Sequence, residues 1–213
     1  MKTSAAEILQ DYGPYPDTSN VHGVTYDGHN VWYAAGDRIT AVDPFSGRQL
    51  RSIAASAHAG TAFDGTHLFQ VGADGISKID PATGQVLATI PAPGQGGDSG
   101  LAWAEGTLWV GEFRARKIHQ IDPDTGKILR TIQSTRYVTG VTWVDGELWH
   151  GTWEDDCSDV RRIDPQTGAA LEVLEMPEGM GVSGLESDGA DRFYCGGGDS
   201  GTLRAIRRPK RAL

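Results

Sequence analysis

The sequence repeats itself at intervals near 40 residues, and this period restricts the fold more than any other feature. Four segments are close copies: Gly23-Val-Thr-Tyr-Asp-Gly28, Gly60-Thr-Ala-Phe-Asp-Gly65, Gly100-Leu-Ala-Trp-Ala-Glu-Gly106 and Gly140-Val-Thr-Trp-Val-Asp-Gly146. A fifth, Gly184-Leu-Glu-Ser-Asp-Gly189, follows the same plan, and the leading glycines stand 37, 40, 40 and 44 residues apart. A period of this length is that of a four-stranded β-propeller blade.

Each repeat carries the signals of four strands. A short apolar strand ends in Asp-Gly or Glu-Gly, a strong hairpin signal. The second strand has an aromatic at one fixed place: Trp32, Phe69, Trp109, Trp149 and Phe193. A variable loop leads to a third strand with spaced apolar residues, as in Ile118/Ile121. A turn follows in four of the repeats: Asp43-Pro-Phe-Ser-Gly47, Asp80-Pro-Ala-Thr-Gly84, Asp122-Pro-Asp-Thr-Gly126 and Asp164-Pro-Gln-Thr-Gly168. Proline presets φ and the closing glycine accepts positive φ, so these aspartates belong to turns rather than to chemistry.

The fifth repeat stops after its third strand, near Arg207. The missing fourth strand has its counterpart at the start of the chain, where Ala6-Glu-Ile-Leu-Gln10 matches Lys127-Ile-Leu-Arg-Thr131. The expected architecture is therefore an all-β, five-bladed propeller forming one domain over residues 1–213. Its blades start near 23, 60, 100, 140 and 184, and residues 5–11 complete the last blade and close the ring.

Composition narrows the function classes. A net charge of −9 surrounds the protein with no basic field, which argues against a nucleic-acid partner. The single basic run, Arg207, Arg208, Lys210 and Arg211, reads as a solvated chain end. No apolar run is long enough to span a membrane, and the first residues lack the apolar core of a signal peptide. Two cysteines form no disulfide framework, so a cytoplasmic protein is expected. Cys195 reads as a small core residue, and the carboxylates beside Cys157 disfavour a thiolate nucleophile.

In an antiparallel meander the first and third turns of every blade share one face, and here they are nearly identical. The two-to-three loops and the blade crossings share the other face and differ from blade to blade, as binding residues do. That face carries His22, His58, Asp98 and Tyr137 from the crossings. The loops supply Glu112 with Arg114, and Trp153-Glu154-Asp155-Asp156. On the inner strands Glu186 stands where the other blades place Thr25, Ala62, Ala102 and Thr142. His150 matches Tyr33, Gln70, Val110 and Tyr194. For Glu186 the alternative to function is a bond to a neighbouring blade, for His22 a capping role, and for His150 a satisfied core imidazole. His58 is offset by one residue from His22, which weighs against convergence of the two. Glu154 to Asp156 reads as a solvated loop at least as readily as a metal site. His29, His67 and His119 fall on hairpins or on the exposed side of the third strand and are set aside.

Two family resemblances cover most of the chain. The segment Gly140–Gly168, GVTWVDGELWHGTWEDDCSDVRRIDPQTG, is similar to the fourth-blade segment of the plant-type glutamine cyclotransferases, five-bladed propellers that cyclise N-terminal glutamine. That family opens its first inner strand with Phe-Thr-Gln-Gly-Leu-Glu, where this chain has Asn20-Val-His-Gly-Val-Thr25; a Gly-Leu-Glu occurs at Gly184–Glu186. The second resemblance is to the streptogramin B lyases, larger propellers that open a cyclic depsipeptide by magnesium-assisted elimination. His22-Gly-Val resembles their Pro-His-Gly-Ile motif, and Leu108-Trp-Val-Gly-Glu112 their Leu-Trp-Phe-Thr-Glu motif.

The leading expectation is a small-molecule lyase or hydrolase with its site at the channel mouth. His22, Glu112, Glu186 and His150 are the candidate acid–base residues. His58, Asp98, Arg114, Tyr137, Trp153 and Glu154 are candidates for binding substrate. The lyase resemblance adds a divalent metal, magnesium or similar, with His22 and Glu112 as ligands. Two alternatives stand beside it: a cyclotransferase-like enzyme on peptide N-termini that uses Glu186, and a non-catalytic scaffold binding a peptide or protein on the same face.

Overall fold

A computed structural model describes residues 1–210; Arg211 of the basic run lies outside the described residues. Those residues contain twenty strands and no helix, and hence no helix long and apolar enough to cross a membrane.

The chain starts with two strands that belong to the end of the ring, β1 (Lys2–Ala5) and β2 (Ile8–Tyr12). The first blade follows, with β3 (Val24–Tyr26), β4 (Val31–Val42) and β5 (Gln49–Ala57). Here β4 runs through the positions of both the second and third strands, with a register shift next to Gly36. The second blade is β6 (Thr61–Phe63), β7 (Leu68–Gly72), β8 (Gly75–Ile79) and β9 (Val86–Ile90). The third is β10 (Asp98–Ala104), β11 (Thr107–Glu112), β12 (Lys117–Ile121) and β13 (Ile128–Gln133). The fourth is β14 (Val141–Val144), β15 (Glu147–Gly151), β16 (Asp159–Ile163) and β17 (Ala170–Glu175). The last has β18 (Leu185–Ser187), β19 (Arg192–Gly196) and β20 (Leu203–Arg207), with β2 as its fourth strand, antiparallel to β20.

The N-terminal segment thus closes the ring, as its sequence suggests, but the closing strand is Ile8–Tyr12 and the residues before it do something else. β1 lies parallel to β17 and adds a fifth strand to the outer edge of the fourth blade. Ion pairs fasten both: Lys2 to Glu172 at 2.9 Å, and Asp11 to the buried Arg204 at 2.6 Å. The basic run is also structural in part. Arg207 pairs with Glu7 and Asp191, while Arg208 is buried and reaches Asp145 at 2.5 Å.

The core consists of five apolar clusters, one between each pair of adjacent blades. Every fixed aromatic of the second strands is buried in one of them. They meet further rings there, as in Trp109 on Trp143 and Phe69 on Trp103. The inner strands form a closed circuit, β3 to β6 to β10 to β14 to β18 and back to β3. The Asp-Pro turns are hydrogen-bonded as expected. Asp122 Oδ1 accepts from the amides of Asp124 and Thr125, and Gly126 closes the turn at φ +72°. The Thr125 hydroxyl, which also donates to Oδ1, and these amides hold the Asp122 carboxyl below its usual pKa, so its charge is committed to the turn.

Candidate functional site

The crossings and the two-to-three loops converge at one end of the channel and leave three adjoining cavities there among the described residues. One of them, about 480 Å³, lies to the side of His58 and Asp98 and contains Asp74. The other two meet at His22. The first of these, about 400 Å³, brings together His22, His58, Asp98, Glu112 and Arg114. The second, about 540 Å³, contains Trp153, Val182, Asp199 and the backbone of Gly179, Gly181, Gly197 and Gly198. His22, Phe113, Thr139 and Ser183 line both, so these two are continuous and form the polar and apolar halves of the mouth around His22.

His22 follows Val21, whose amide bonds to Gly198, and its own amide is held by Ala34. Burial pushes the His22 imidazole below its ordinary pKa; Asp199 opposes this, and the second imidazole, His58, adds to it. The two histidines are therefore close enough to repel as cations, despite the one-residue offset of their positions. Their proximity comes from the radial geometry of the ring, in which consecutive crossings point towards one axis.

Two acids of the mouth are already engaged, whereas Asp199 makes no hydrogen bond or ion pair among the described residues and acts on His22 through space. Asp98 Oδ1 accepts the Gly94 amide at 2.8 Å and Oδ2 the Gly96 amide at 3.4 Å, so its carboxylate shapes the Gly94–Gly97 loop. Glu112 Oε2 lies 3.1 Å from Nε2 of His119, whose Nδ1 is 2.9 Å from the Thr131 hydroxyl. With Thr131 donating to Nδ1, the imidazole donates its Nε2–H to the carboxylate. His119 is 5% exposed, not on an open strand surface as its position suggested. Its partner across the sheet is Val110, a buried residue, so this face of β12 points inward beneath Glu112. Phe113, which no sequence pattern marks, lines both halves of the mouth. It sits between two polar candidates, and its ring meets that of Tyr137 at 5.0 Å.

Other candidates lie elsewhere. His150 is fully buried, with Nδ1–H donating to Gly151 O at 2.8 Å and Nε2 facing the Ser134 hydroxyl at 3.1 Å. Desolvation drives its pKa down to about 4, so it is a neutral core imidazole. Glu154 is held between Arg116 and Arg136 in an ion-pair network that reaches Asp159. Tyr137 supports Phe113 and is itself covered by the Arg116 guanidinium at 5.0 Å.

Glu186 stands within the channel, apart from the mouth. Its carboxylate accepts from Thr142 at 2.5 Å, Thr25 at 3.0 Å and the Ser187 amide at 2.8 Å. It thereby joins the fourth, fifth and first blades. Burial raises its pKa to about 7 against the pull of these three donors. No group of three or more His, Cys, Asp or Glu side chains gathers to hold a metal ion among the described residues. His22 and Glu112 alone do not fit the ligand set of a dedicated site.

These features define a five-bladed β-propeller with a polar and an apolar half at one channel mouth. The chain belongs to the family described as "Repeat of unknown function (DUF6923)", whose model matches residues 53–203. No curated protein matches the sequence. Among solved structures, a glutaminyl cyclase from Myxococcus xanthus superposes with a TM-score of 0.77 at 18% identity, covering 97% of each chain. A virginiamycin B lyase from Staphylococcus aureus gives a TM-score of 0.53 at 15% identity, over 94% of this chain and 70% of that one. The WD40 repeats of RRP9 give 0.60 at 12% identity, over 96% and 99%. Identities this low establish the shared fold and leave activity to the site.

Proposed function

We propose that the protein is an enzyme acting on a small molecule at the channel mouth by acid–base chemistry, as a hydrolase or lyase. The observation that carries this reading is a half-buried imidazole, His22, held below its ordinary pKa by desolvation, in one cavity with Glu112 and Arg114. A neutral imidazole at pH 7 accepts a proton, either from water attacking an acyl carbon or from a carbon beside a carbonyl, and returns it to the leaving oxygen. Arg114 anchors an anionic group, and Glu112 is the carboxylate partner. No step is assigned to a metal, because the donors for one do not assemble.

Turnover of a panel of lactones and aryl esters tests the reading. His22→Gln should lower the rate by about 100-fold or more, and a chelator should leave it unchanged. Because the His22 pKa is lowered, activity should persist below pH 6.5, the ordinary imidazole value. A wild-type rate equal to that of His22→Gln would sink the proposal.

A second reading is favoured by Glu186, a partly buried carboxyl with its pKa raised to about 7, in a fold shared with a glutaminyl cyclase. Such a group exchanges protons at neutral pH, as cyclisation of an N-terminal glutamine requires. Release of ammonia from a Gln-initiated peptide, lost in Glu186→Gln, is the expected outcome. No release from such peptides rules it out.

A further inference from the structure

The two halves of the mouth differ in chemistry, and the difference specifies a ligand class. In the polar half both acids are engaged: Asp98 with loop amides and Glu112 with His119. The side chains of His22, His58 and Arg114 make no hydrogen bond or ion pair among the described residues. Three unengaged nitrogen groups therefore face the cavity of a protein whose net charge is −9. Within this cavity the carboxylates are occupied and the bases are free. Asp199 stands unpaired beyond His22 in the other half, and three nitrogen groups against that one acid select an anion.

The apolar half is formed differently. Four of its lining residues are glycines, so its space exists where side chains are lacking. At Gly179 and Gly198 a Cβ would meet nothing within 4 Å. Gly181 lies against the Trp153 indole, where a Cβ would sit 3.3 Å from the ring. Phe113 stands at the junction of the halves. Backbone walls beside an indole and a phenyl ring accept a flat apolar group, since stacking and area burial both favour it there.

We infer that the mouth binds one amphiphilic small molecule, with a carboxylate-type anion among His22, His58 and Arg114 and an apolar ring against Trp153 and Phe113. This deepens the proposed function by naming its substrate class. It is read from binding alone, so absence of turnover does not touch it.

The test is an NMR-monitored titration with N-acetylphenylalanine, its neutral amide, and N-acetylalanine. The phenyl acid should bind about tenfold more tightly than either of the others, a tenfold ratio being about 1.4 kcal/mol. Arg114→Gln, at an exposed residue without partners, should remove the preference for acid over amide and leave that for phenyl over methyl. Trp153→Ala should do the reverse, and Trp153→Phe, which keeps a ring in place, should retain most of the phenyl preference. Equal affinities for the three ligands, no binding at millimolar concentration, or variants that leave both preferences intact would each overturn the inference. Binding as expected with no ester or lactone turnover refutes the proposed reaction and leaves the ligand class standing. Turnover abolished in His22→Gln without either preference does the opposite.

Discussion

At the scale of single residues, the five leading glycines of the repeats show how little room the ring leaves. None of Gly23, Gly60, Gly100, Gly140 and Gly184 has a positive φ, so conformational freedom is not why they recur. Each faces the next blade. A Cβ on Gly100 would lie 2.4 Å from Thr139 O and 2.5 Å from Val141 N, and one on Gly184 would meet the backbone of His22 to Val24. Backbone atoms on both sides cannot yield, so Gly100→Ala should cost about 3 kcal/mol. Gly106→Asn, at a hairpin where a Cβ meets nothing within 4 Å, should cost well under about 1 kcal/mol. Urea unfolding of the two variants decides it, and equal losses would refute the packing argument. The glycines are visible in the sequence as markers of the period, whereas their reason is an approach between segments 40 residues apart. The site is legible to the same extent. His22, His58, Glu112 and Arg114 could be placed on one face by counting turns. The His119–Glu112 pair depends on which face of β12 points inward, and the alternation of that strand does not say. His119→Ala should therefore disturb the mouth although the residue lies outside it, and a shift of His22 imidazole resonances in this variant is the expected sign.

At the scale of elements, the N-terminal segment divides its work between two blades. β2 matches the fourth-strand pattern of other repeats, Ile8 and Leu9 corresponding to Ile128 and Leu129, and this is why its role could be read in advance. β1 carries Lys-Thr-Ser-Ala, all exposed, with no apolar alternation to announce a strand. Its pairing follows from the open edge of β17 and the ion pair of Lys2 with the buried Glu172. The two strands should therefore differ in weight. Removing residues 1–5 uncovers one outer edge and should lower Tm by about 5 °C, the effect of a loss near 1–2 kcal/mol. Removing residues 1–12 also takes away Tyr12 from the core between the last and first blades, and the ion pair of Asp11 with Arg204. That shorter chain should be digested rapidly by a protease that spares the first deletion. Equal protease resistance of both truncated chains would contradict closure by β2.

At the scale of the whole molecule, the buried His150 and the partly buried Glu186 impose opposite pH dependences on one fold. Glu186 has its pKa raised from 4.5 to about 7, so the folded state holds a proton more tightly than the unfolded chain. Its contribution is full below pH 4.5 and is lost as pH rises through 7. His150 has its pKa lowered from 6.5 to about 4, so its contribution is full above pH 6.5 and is lost as pH falls through 4. Between about 4.5 and 6.5 the two slopes oppose each other, and the native protein should show a flat stability profile there. Glu186→Gln removes one slope and keeps an amide that Thr25 and Thr142 can bond. At pH 8 the variant should be more stable than the native protein by about 2 kcal/mol. The gain should shrink towards zero at pH 5, leaving the His150 slope exposed on the acid side. Urea unfolding at pH 5, 6, 7 and 8 reads this directly, and a pH-independent difference would show that Glu186 stays charged throughout. The same variant bears on function. A carboxylate that lowers stability at neutral pH, where blades four, five and one meet, is the kind of strained group retained for chemistry. If Glu186→Gln gains stability and loses ammonia release together, the channel carboxylate is the catalytic group and the cyclotransferase reading prevails over the mouth. If it gains stability with lactone or ester turnover intact, chemistry belongs to His22 and the carboxylate serves the seam.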